Sequence, residues 1–96
     1  MSDEFALRSA MTDATRAHAA LENEALKSAF DALERDYLAY WRLTDVNDTN
    51  GRERIFTAIN VLAKVRDHLA MTVANGRVAQ KELDLLAGRK TPRKAG

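Results

Sequence analysis

The chain has 96 residues, of which 46% are hydrophobic and 30% charged, with four Gly, one Pro and no Cys. This length allows one domain, and so few Gly and Pro residues leave little material for the turns of an all-β fold. The absence of Cys excludes a disulfide framework, a thiolate metal site and a cysteine nucleophile. The composition therefore predicts a small all-α domain.

The N-terminal residues Met1–Glu4 are acidic, whereas a secretory signal begins with basic residues. No apolar run approaches the roughly 18 residues that a membrane span needs. We therefore expect a cytoplasmic protein with no membrane partner.

The first half, from Phe5 to Leu43, contains no Gly or Pro. Apolar residues recur there in alternating steps of four and three, which is typical of packed helices. The first stripe is Leu7, Met11, Ala14, His18, Leu21 and Ala25, and the second is Leu26, Phe30, Leu33, Tyr37 and Tyr40 or Trp41. The second stripe is displaced by one position, about 100° around a helix. Two interpretations remain open: one long helix with two faces, or two helices separated near residues 22–24.

Residues 44–51 have short polar side chains that bond to the nearby backbone, which predicts a turn. A helix should begin near residue 50, capped by Asn50 together with Glu53, or by Asp48 or Thr49. Its apolar stripe is Ile55, Ile59, Leu62, Val65 or Arg66, Leu69 and Val73. The pair Asn75–Gly76 is typical of a helix end, so we expect a stop or kink there.

A short helix is then expected over residues 77–87, with Gly88 at its C-terminal cap. Residues 89–96 lack a large apolar side chain and are predicted to form a disordered basic tail. The predicted fold of residues 1–88 is thus an antiparallel helical hairpin with a short C-terminal helix.

A hairpin of this size buries little apolar surface by itself, so we expect it to assemble into a homo-oligomeric helical bundle, coiled coil or ring. The residues expected in the core or oligomer interface are Leu26, Phe30, Leu33, Tyr37, Trp41, Ile55, Ile59, Leu62, Leu69 and Val73. The aromatic residues before the turn are Tyr37, Tyr40 and Trp41. We interpret them as packing at the end of the hairpin. The alternative is an exposed patch for another protein.

No catalytic or metal-binding pattern is present. His18 and His68 lack a second ligand at a spacing that forms a metal site, and the carboxylates near residues 22–36 resemble a solvated helix face. The chain also lacks a nucleophile elbow and a phosphate-binding loop. We predict a protein that is not an enzyme and that uses no metal or cofactor.

The charges are unevenly distributed. Residues 1–51 carry ten acids and five bases, and residues 52–96 carry four acids and ten bases. This asymmetry favours either an antiparallel pairing of the two halves or an affinity of the second half for nucleic-acid phosphates. The basic residues concerned are Arg52, Arg54, Lys64, Arg66, Arg77, Lys81, Arg89, Lys90, Arg93 and Lys94.

Four stretches, residues 37–45, 48–54, 64–69 and 75–76, resemble small helical proteins encoded in tailed-phage and prophage gene clusters. The resemblance covers residues 26–88. It implies a part in head assembly or DNA packaging, where small terminase subunits also use oligomerising helical hairpins. We therefore expect a homo-oligomeric assembly protein that binds another protein, with a nucleic-acid-binding packaging component as the alternative.

Overall fold

The computed structural model describes residues 3–90, and the side chains of residues 3–88. These residues form three α-helices and no strand, so the all-α prediction is confirmed. The helices are α1 (Glu4–Glu22), α2 (Glu24–Leu43) and α3 (Thr49–Lys90). With 42 residues, α3 is longer than α1 and α2 together. None of the described helices combines the length and apolar character needed to cross a membrane.

The N-terminal half forms two helices, which decides between the two interpretations of its displaced stripes. Asn23 separates them in an extended conformation. Its backbone N–H donates to the carbonyl oxygen of Ala20, and its side-chain oxygen accepts from the N–H of Leu26 at 2.9 Å. One residue therefore ends α1 and caps α2.

The predicted turn lies between Leu43 and Thr49. Asp45 accepts a hydrogen bond from the backbone N–H of Asn47, and Asp48 accepts one from the N–H of Gly51 at 3.0 Å. Asp48 is therefore the residue that caps the first turn of α3. A Cβ atom at Gly51 would overlap the Asp48 carboxylate, so glycine at this position leaves room for the cap.

The expectation for Asn75–Gly76 was wrong. α3 continues through both residues to Lys90, and no described glycine has a positive φ. The separate short helix predicted for residues 77–87 is thus part of α3. Arg89 and Lys90, placed in the predicted tail, also belong to this helix, whereas residues 91–96 lie outside the described residues.

The molecule is a rod of 71 × 28 × 22 Å, which is about two helices thick. Near the turn, Arg52 lies against Trp41, and farther along α3 Arg66 contacts Glu34. Gly76 then approaches Ala14 of α1. The contacts on α2 and α1 thus run backward along the chain as α3 runs forward.

The tightest packing joins α1 to α3. The buried residues of the described chain are Leu7, Ala17, Gly76 and Ala79. A Cβ atom at Gly76 would overlap that of Ala14, so the two helices approach closely there. His18, expected in the α1 stripe, is exposed and the preceding Ala17 is buried instead. Small side chains therefore permit the closest contact in the molecule.

Gly76→Ala tests this close approach. Alanine is favoured over glycine in a helix by about 1 kcal/mol. The new methyl group would nevertheless overlap Ala14 and lie 3.3 Å from the carbonyl oxygen of Ala10. We expect a net loss of roughly 1–3 kcal/mol, typical of overpacking, seen as a lower melting temperature by circular dichroism.

Gly88→Ala is the matched control, because no other side chain lies within 4 Å of the place that its new methyl group would occupy. Its melting temperature should stay the same or rise. Adding Ala14→Gly to the Gly76→Ala variant should recover part of the loss. Equal melting temperatures for the two glycine variants would contradict the close approach.

Candidate functional site

The ten residues predicted for the core or interface lie mainly along the contact between α2 and α3. None is buried within one copy of the chain. Leu33 is 41% exposed, and the other nine are half-buried. Their role as an oligomer interface stays a prediction, but each retains surface on which a further helix could pack.

Many large apolar side chains are exposed along the rod. Those on α1, α2 and the turn are Phe5, Leu33, Leu38, Tyr40, Leu43 and Val46. Those on α3 are Phe56, Val61, Val65, Met71, Val78 and Leu85. Single exposed apolar residues are ordinary on a protein surface, whereas twelve among residues 3–88 are an unusually large apolar exposure for so small a chain.

The total accessible surface supports this interpretation. It is 7753 Å², whereas a compact monomer of 10.7 kDa exposes about 5,500 Å². The radius of gyration is 20.7 Å, against about 12–13 Å for a compact domain of this length. The chain therefore exposes about 2,200 Å² more than a compact protein of its size.

One edge of the α2–α3 contact is polar, and Arg66 organises it. Its guanidinium donates to Asp31 at 3.0 Å and lies 2.8 Å from Glu34. It also lies over the ring of Phe30, 4.8 Å from the centroid. We call Arg66, Asp31 and Glu34 the Arg66 fork. Of the two positions that the stripe of α3 allowed, Arg66 thus faces α2, and Val65 is exposed.

The turn end carries a second arginine contact. Arg52 lies 3.9 Å from the ring centroid of Trp41 and donates to the hydroxyl of Thr44 at 3.4 Å. Thr44 in turn donates to the carbonyl oxygen of Trp41. Trp41 is therefore held by a cation–π contact beside the turn between α2 and α3, and Val46 and Phe56 line a shallow notch next to it.

The predicted basic residues do not form one surface. Arg52 and Arg66 are engaged in the contacts just described. Four others are exposed and have no ion pair within the described part of the chain: Arg54, Lys64, Arg77 and Lys81. The side chains of Arg89 and Lys90, and all of Arg93 and Lys94, lie outside the described residues.

The two histidines are exposed and far apart in the chain, and residues 3–90 contain no group of three or more potential metal ligands. An open groove runs between the start of α1 and the end of α3. Glu4, Arg8, Gln80 and Asp84 are among the residues that line it. The described surface thus consists of helix faces and open grooves.

Comparison of the chain with protein-family models, with curated proteins and with solved structures gave no match.

The sequence analysis placed Ala14 in the first apolar stripe but missed the other small residues around the closest contact. Ala10, Ala14 and Ala17 recur in steps of four and three on α1, and Gly76 and Ala79 lie three residues apart on α3. This spacing of small residues was the available signal. This signal is ambiguous because alanine is frequent in helices for its high helix propensity, whether or not it packs closely against another helix.

Charge reversal at Arg66 tests the fork. Arg66→Glu would place three carboxylates together, so we expect a loss of about 1 kcal/mol, limited because the partners are partly exposed. The loss should appear as a melting temperature lower by several degrees and should shrink in 1 M salt.

Arg54→Glu is the control, because Arg54 is exposed on the same helix and has no ion pair among residues 3–88. It should leave the melting temperature nearly unchanged. The double variant Arg66→Glu with Glu34→Arg should recover stability. If Arg66→Glu melts like Arg54→Glu, the fork contributes nothing.

Proposed function

We propose that this chain is a non-enzymatic assembly protein, a helical hairpin whose copies associate into a bundle or ring that binds another protein. The observation that carries this proposal is the exposure of apolar surface. A rod with four buried residues among residues 3–88 and about 2,200 Å² of excess surface has less core than a compact monomer of this size.

The amount of surface fits association with further copies. A standard protein interface buries about 800 Å² on each partner. The excess surface of this chain is larger than one such interface, and the exposed apolar residues occur on all three helices. More than one contact between copies, or one contact with a copy and one with another protein, would use this surface.

The resemblance to small helical proteins of tailed phages supplies a biological setting for the proposal. Small terminase subunits, which act in DNA packaging, also use oligomerising helical hairpins. In that setting, the hairpin would act as a structural component whose surface recruits another protein of the particle.

The mass in solution tests the proposal directly. At micromolar concentration, we expect light scattering coupled to size exclusion to give at least twice the 10.7 kDa of one chain. The helical melt should shift to higher temperature as the concentration rises, because association stabilises the folded state. A mass of 10.7 kDa with a cooperative, concentration-independent melt would refute it.

Leu62→Glu tests whether the contact between α2 and α3 is part of the folded unit. Leu62 is half-buried, and an unpaired charge placed there should cost several kcal/mol. We expect loss of both helical signal and native mass. Asn60→Glu, an exposed change two residues away, should preserve both. Native behaviour of the Leu62 variant would show that the core lies elsewhere.

Nucleic-acid binding is the second candidate, and one observation favours it. Arg54, Lys64, Arg77 and Lys81 are exposed on α3, and no carboxylate within the described residues pairs with them. Unpaired basic side chains on a rigid helix are suited to contact phosphates without reading sequence. This would make the protein a DNA-packaging component similar to a small terminase subunit.

Salt dependence tests this candidate. The logarithm of the association constant for duplex DNA should fall linearly with the logarithm of the salt concentration. The slope should be about −0.9 for each phosphate contact. The triple variant Lys64→Gln, Arg77→Gln and Lys81→Gln should reduce the slope by roughly three contacts. A truncation after Lys90 measures the share of Arg93 and Lys94. No measurable binding at low salt would exclude the candidate.

A further inference from the structure

The contact between α2 and α3 has one polar edge and one apolar edge. Asp31 and Arg66 lie on the polar edge, within the Arg66 fork. Leu33 and Val65 immediately precede Glu34 and Arg66, the two residues that meet across the contact. One step back along a helix rotates a side chain by about 100°. Because α2 and α3 run in opposite directions, the step from Glu34 to Leu33 and the step from Arg66 to Val65 lead to the same edge of the contact. This is the apolar edge.

The same step places two more residues on this edge. Tyr40 precedes Trp41, and Val61 precedes Leu62, and both Trp41 and Leu62 are half-buried. We call Leu33, Tyr40, Val61 and Val65 the open flank. Their exposed fractions lie between 41% and 56%. An apolar surface thus runs beside the contact, over about two turns of α2 and one turn of α3.

We propose that the open flank is where a second copy of this chain binds, through the same residues on both copies. This inference rests on the proposed function, which requires association but does not say which surface is used. A patch that pairs with itself forms a closed two-fold dimer. Two α2–α3 pairs would then make a four-helix bundle in this part of the rod.

The width of the apolar arc supports a bundle of four helices. A contact between only two helices needs two apolar positions in every seven, whereas a helix inside a bundle carries a third position beside them. α2 has this third position at Leu26, Leu33 and Tyr40, which are spaced by seven residues. The chain therefore carries more apolar surface on α2 than its single partner α3 covers.

Charge also favours self-pairing at this surface. The four residues of the open flank are uncharged. The exposed charged residues that lie between them include Asp36 on α2 and Lys64 on α3, which have opposite signs and can pair between copies. The other exposed stripe of α3 is Met71, Val78 and Leu85, which we call the outer stripe. The outer stripe lies on α3 alone, so pairing there would leave the open flank uncovered.

The chain as a whole exposes more surface than one such dimer would cover. One side of a standard interface buries about 800 Å², well below the excess of about 2,200 Å² that the chain exposes. Closing the open flanks of two copies would therefore leave further exposed surface for a third component.

Matched charge substitutions test the inference. Leu33→Lys should weaken association by about 100-fold or more, because a lysine at the centre of the interface would lose its water without gaining a partner. Val78→Lys introduces the same charge into the outer stripe. It should change the dissociation constant by less than about threefold. Both are measured as the dissociation constant from light scattering across a dilution series.

Cross-linking provides a second measurement in case dissociation also unfolds the chain. The natural chain has no cysteine, so one introduced cysteine is the only thiol that can react. A cross-linked dimer then shows that this position lies near its counterpart in a second copy. With a short bismaleimide, Val65→Cys should form dimers efficiently at micromolar concentration, and Val78→Cys should not. Both variants keep the wild-type mass before reagent is added if the proposal is correct.

The outcomes separate the two proposals. A wild-type oligomer that cross-links through Val78→Cys but not Val65→Cys overturns the open-flank inference and leaves the assembly function standing. A wild-type monomer overturns both. An oligomer that dissociates with Leu33→Lys and cross-links through Val65→Cys supports the two-fold contact.

Discussion

A rod only two helices thick leaves most of its large side chains partly exposed, and this constraint accounts for most of the structure. Each helix has a neighbour on one side and open surface on the others. Complete burial then occurs mainly where two backbones come very close, as Gly76 does to Ala14. Larger residues such as Phe30 and Leu62 fill the contact but remain half exposed to water. Exposure in this molecule follows from its thinness, not from a lack of apolar residues.

The α1–α3 half and the α2–α3 half of the rod pack their helices in different ways. Along α1, small residues bring the helices together, so the contact is close but narrow. Along α2, large residues hold the helices farther apart, and the Arg66 fork closes one edge with charge-assisted hydrogen bonds. The first half is nearly complete as a pair of helices. The second half offers the surface on which a further chain could complete a bundle.

The sequence predicted the helical class, the turn and the region where the stripe changes face. It could not distinguish a long helix from two, because the choice depended on whether Asn23 would bond to the backbone on both sides. It misread Asn75–Gly76, since the same pair serves a helix end or a close helix contact. Only Ala14, distant in sequence, distinguishes them. The proposed binding surface could not be predicted from stripes alone, because periodicity does not say which edge of a contact remains open.

The order of contacts along α3 has a consequence for how the chain folds. The hydrogen bond from Arg52 to Thr44 closes a separation of eight residues, whereas that from Arg66 to Asp31 closes 35. Each later contact closes a longer loop that contains the loops already closed. The entropic cost of loop closure grows only slowly with the number of residues in the loop. Folding can therefore proceed from the turn outward in small steps, with α1 docking last. Asn23 then marks the point where an already formed α2–α3 pair awaits its final helix.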